Sequence, residues 1–72
     1  MTSPTEARKT IVRQMARYGM IPAMCADKSN DMLLGIAAMM VGHRRSQGKL
    51  EADEIIQLGE MEKLVAEIKR VS

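Results

Sequence analysis

The chain has 72 residues, 46% of them apolar but only one of them aromatic, and its 11 Lys/Arg against 9 Asp/Glu give a formal charge of +2. That length holds one domain, 1–72. One cysteine, Cys25, excludes an intrachain disulfide, and one histidine, His43, leaves no Cys/His cluster for a structural metal. A core this small supplies no more than about 3–5 kcal/mol, so association with a second copy is the remaining route to a stable fold.

The first predicted helix covers about residues 4–18. Ser3 can cap it, Pro4 suits the first helical position, and Glu6 can reach back to the cap. Ala7, Ile11, Met15 and Tyr18 recur on one side, while Lys9, Arg13 and Arg17 fall four apart on the other. Gly19 is a natural stop. The opening "MTSPTEARKT" has charges and a proline where a signal peptide would be apolar, so a reduced, cytoplasmic setting is expected.

Residues 20–30, "MIPAMCADKSN", break the period. Pro22 drives Ile21 towards an extended conformation, and one short helical turn after the proline is compatible with these residues. Ser29, Asn30 or Asp31 is placed to cap the next helix.

The second helix, about 31–47, contains "MLLGIAAMMVG" at 32–42, eleven residues without a charge or a side-chain hydrogen-bonding group. As a helix these rise only about 16 Å, half a bilayer core, so no membrane span is expected. Met32, Ile36 and Met39 make one face, extended by His43. Leu34 and Val41 point away from it, and Gly35, Ala38 and Gly42 form a ridge of small residues. A helix apolar all round is buried all round. Its two short neighbours cannot surround it, which places it at the centre of a shared core.

Gly48 ends that helix, and the third helix covers about 51–70. Leu58, Met61, Val65 and Ile68 keep a heptad-like spacing, with Ile55 and Leu64 alongside. Glu51, Asp53 and Glu54 at its start and Lys69 and Arg70 near its end complement the helix dipole.

Catalysis finds little support. No Ser-His-Asp set can be drawn around one histidine, and most carboxylates lie on the polar side of the third helix, outside any cleft. No glycine-rich phosphate loop is present, and a chain this short lacks the walls of a substrate pocket. Charge is uneven, however. Residues 1–50 hold eight Lys/Arg against three Asp/Glu, and residues 51–72 hold three against six.

The expectation is therefore an all-α, three-helix subunit in a homodimeric bundle, with the second helix central and Gly35, Ala38, Met39, Gly42, Leu58, Met61 and Val65 at the dimer interface. It is expected to be a non-catalytic regulator or adaptor that binds and modulates another protein, with inhibition the favoured direction, without cofactor, metal or small-molecule substrate. Arg13, Arg17, Met20, Ile21, Met24, Arg44 and Arg45 are the expected partner contacts: arginines steer association, and eight methionines offer surfaces that repack. The alternative is a dimeric DNA- or RNA-binding regulator with Lys9, Arg13, Arg17, Arg44, Arg45 and Lys49 on phosphates. Apart from Tyr18 it has no aromatic residue for base stacking.

Overall fold

Ser3 begins the fold, its Oγ accepting the backbone N–H of Glu6 at 3.2 Å. In the computed structural model, which describes residues 3–71, α1 runs Pro4–Met15 from this cap and tightens into a 3-10 turn over Ala16–Tyr18. Gly19 stops it with φ of 79°, a left-handed conformation that costs a residue with a Cβ about 1–2 kcal/mol. Ile21 is extended, as the residue before a proline should be, and Pro22 opens a one-turn helix, α2, over Pro22–Cys25. Helix α3, Asn30–Ser46, is capped by Ser29, whose Oγ accepts the Met32 N–H at 3.1 Å. Gly48, with φ of 70°, turns the chain into α4, Ala52–Val71.

The described residues thus contain four helices and no strand, where the sequence predicts three. The addition is α2, short because the chain must soon return towards Ser29. It exists because Pro22 presets the helical φ and Cys25, at its end, is fully buried.

Polar contacts fix the helix directions. The Arg8 guanidinium donates to Asn30 Oδ1 at 2.9 Å and to the Cys25 carbonyl at 2.7 Å, so the starts of α1 and α3 lie together. Arg17 meets Asp53 at 2.5 Å, joining the end of α1 to the start of α4. Lys69 meets Asp31 at 2.7 Å, joining the end of α4 to the start of α3. Helices α1 and α3 therefore run the same way and α4 runs back. Their Cα atoms fill a slab of 37 × 24 × 15 Å.

The core is built from i, i+4 stripes: Ala7, Ile11 and Met15 on α1, Leu33, Ala37 and Val41 on α3, and Met61 and Val65 on α4. Met20 and Cys25 close it from the crossover segment. The α1 and α4 stripes follow the sequence period, whereas the all-round apolar pattern of α3 selects no core face. Met32 and Met39 stand in solvent, 53% and 67% exposed, and Leu33 and Ala37 lie inside. Where every position is apolar the period is silent. Arg44, three residues beyond Val41, continues the buried face and meets Glu54 of α4.

No helix among the described residues is long and apolar enough to cross a membrane.

Candidate partner-binding surfaces

Two of the seven expected partner contacts are occupied within the chain. Arg44 Nη1 donates to Glu54 Oε1, and its guanidinium lies 5.5 Å from the centre of the Tyr18 ring. Glu54 is 1% exposed, and its other oxygen accepts the backbone N–H of Glu51 at 3.2 Å, satisfying a donor at the start of α4. Next to it, Arg17 Nη2 donates to Asp53 Oδ2. Arg17 and Arg44 thus serve as internal clamps that hold α1 and α3 onto the first turn of α4.

The electrostatics of this corner arise from those contacts. The Arg17 hydrogen bond holds the Asp53 carboxyl below its ordinary range, and the same bond raises the Arg17 guanidinium. Burial pushes the Tyr18 hydroxyl up. The Glu54 charge pushes it the same way, while the Arg17 and Arg44 charges pull it down.

Four further candidate residues pack within the chain. Met20 is buried and offers no surface. Met61 and Val65, expected between subunits, point into the chain's own core because α4 turns that seam towards α1 and α3. Leu58 packs, partly buried, against the same core.

Two of the surface grooves share no lining residue. The first lies between α1 and α2, has a volume of about 620 Å³, and is lined by Arg8, Lys9, Val12, Arg13, Pro22 and Ala26. Ile21 and Met24, on either side of Pro22, are 59% and 48% exposed. Among the described residues Lys9 reaches only its own-helix neighbour Glu6, at 3.8 Å. Arg13 makes no side-chain hydrogen bond or ion pair among the described residues. The second groove, about 480 Å³, runs between α3 and α4 past Leu34, Gly35, Ala38, Val65 and Ala66, with Asp31, Glu62 and Lys69 beside them. Met39 and Gly42 stand exposed on the same helix, and a Cβ added at Gly35 or Gly42 would meet nothing within 4 Å.

Arg45 and Lys49 are exposed near the turn from α3 to α4 and have no carboxylate partner among the described residues. Cys25 is fully buried, and His43 is exposed at the end of α3. No group of three or more His, Cys, Asp and Glu among the described residues could hold a metal ion.

Sequence reasoning missed Arg8 and Glu54. Arg8 sits between core positions Ala7 and Ile11, and nothing local marks it as the tie to α2 and α3. Glu54 had one available signal, its place three residues after Glu51 at a helix start, where a glutamate can turn back to the backbone. The sequence matches no protein-family model, no curated protein and no solved structure.

Proposed function

We propose that the protein is a non-catalytic cytoplasmic regulator or adaptor, working as a homodimer, that binds another protein and inhibits it by covering a surface. The observation that carries this reading is the uncharged face of α3, on which Met32, Gly35, Met39 and Gly42 are exposed. Soluble monomers seldom leave such a face open. Small residues let a second helix approach closely, and the methionines can repack around it. Pairing through α3 leaves the α1–α2 groove available to a different protein.

Protein binding is favoured over nucleic-acid binding because the cations of the α1–α2 groove stand beside apolar Val12, Pro22 and Ala26, which a phosphate backbone would leave uncovered. Sedimentation over a range of concentrations tests the dimer. The expected mass is twice the chain's 8.0 kDa, falling to a single chain in Gly35→Leu and Gly42→Leu, whose added bulk would hold the helices apart. A monomer at every concentration would overturn it. Titration with mixed-sequence DNA and RNA tests the target class. Absence of binding at low salt is expected, and micromolar binding that weakens steeply with salt would transfer the function to nucleic acid.

A further inference from the structure

We infer that the α1–α2 groove receives an acidic amphipathic helix of a partner protein, an inference that rests on the protein-binding reading above. Three of its six lining residues, Arg8, Lys9 and Arg13, are cationic and none is acidic. Arg8 spends its hydrogen bonds on two neutral acceptors, Asn30 Oδ1 and the Cys25 carbonyl, so its position is fixed and its charge is not cancelled there. Lys9 has a single long contact to exposed Glu6, and Arg13 has none among the described residues. The groove therefore carries positive charge awaiting a counter-charge, beside an apolar floor of Val12, Pro22 and Ala26.

Spacing narrows the occupant. Lys9 and Arg13 lie four residues apart on one helix, one turn or roughly 6 Å. Two carboxylates at i and i+4 on a facing helix have the same separation. An apolar side chain on that helix, between the carboxylates and a turn away, would rest on Val12, Pro22 and Ala26. A phosphate backbone would satisfy the cations but leave the apolar floor uncovered. A purely apolar helix would leave the cations without partners. An acidic amphipathic helix satisfies both, with burial supplying affinity and the charge pairs supplying register and encounter rate.

The test uses the full chain and a synthetic helical peptide with leucines on one face and glutamates at i, i+4 beside them, with fluorescence anisotropy as the readout. Controls are the same peptide with lysines for glutamates, the glutamate peptide with serines for leucines, and a DNA duplex. Saturable binding of the acidic amphipathic peptide alone is expected, weakened about tenfold or more by Arg13→Glu and by Ala26→Asp, with circular dichroism and sedimentation unchanged. Absence of binding, equal binding of the serine peptide, or competition by the DNA duplex would overturn the proposal. Loss of the dimer in Arg13→Glu would also overturn it, by making a second copy the occupant. A pull-down from lysate separates this failure from that of the broader reading. A protein retained equally by wild type and by both groove variants would keep the protein-binding function and reject this groove, whereas capture of none would reject both.

Discussion

Arg44 and Glu54 are paired across the turn that joins α3 to α4, with the carboxylate 1% exposed and the guanidinium side chain 33% exposed. Sequence alone made Arg44 a partner contact; in the fold it is the counter-charge of a buried acid. Removing one member of such a pair costs more than removing both, because the survivor is left without compensation. Arg44→Met is expected to lower stability by about 3 kcal/mol, and Arg44→Met combined with Glu54→Met to recover most of that loss. Urea unfolding of the two singles and the double measures it. Additive losses would mean the pair is not coupled.

Tyr18 is the only aromatic residue, so ultraviolet titration of tyrosinate reports it alone. Burial, and then Glu54, raises its ionisation above the free value of about 10. A raised value in the fold means that the folded state holds the proton more tightly. The associated stability is complete below about pH 10 and is lost as pH rises through the folded value. The native titration should therefore lie above that of the urea-unfolded chain, and Tyr18→Phe should flatten the alkaline fall in stability. Coincident native and unfolded titrations would refute this.

Asp53 behaves in the opposite sense. Its hydrogen bond from Arg17 holds the carboxyl below its unfolded value of about 3.9, so its contribution is complete above that value and disappears as pH falls through the folded one. Wild type and Asp53→Asn should differ in stability at neutral pH and converge in acid. The difference should be small, since the pair is open to solvent and salt. Urea unfolding of both proteins at neutral and acid pH measures it, and a gap that persists in acid would show that ionisation is not its source.

Two glycines should respond with opposite sign to alanine. Gly59 lies inside α4 with open space where a Cβ would go, so Gly59→Ala is expected to stabilise the chain by about 0.5–1 kcal/mol. Gly19 has φ of 79°, so Gly19→Ala is expected to destabilise it by about 1–2 kcal/mol, although nothing crowds that site either. Thermal melts of both variants decide this, and a shared sign would show that backbone geometry is not the governing factor.

Much of the fold was legible because local chemistry repeats it. Ser3 with Pro4, the stripe Ala7–Ile11–Met15, and the seam through Met61 and Val65 each carry a cap or period that needs no tertiary partner. Two features were not. An apolar pattern with no polar face gave no means of choosing Leu33 and Ala37 over Met32 and Met39 for the interior. Which arginines remain available was equally hidden, since Arg13, Arg17, Arg44 and Arg45 look alike along the chain. Only the position of α4's acidic first turn separates the paired Arg17 and Arg44 from the exposed Arg45 and the groove-lining Arg13.

The connectivity also sets an order of assembly. Arg44 and Glu54 are 10 residues apart, whereas Arg17 and Asp53 are 36 apart. Closing the longer loop costs roughly 1 kcal/mol more entropy before any contact rewards it. The α3–α4 hairpin is therefore expected to form before α1 docks, with Arg8 joining α1 to the crossover. If docking is last, α1 amide hydrogens are expected to exchange before those of α3 and α4, which native-state hydrogen exchange measures.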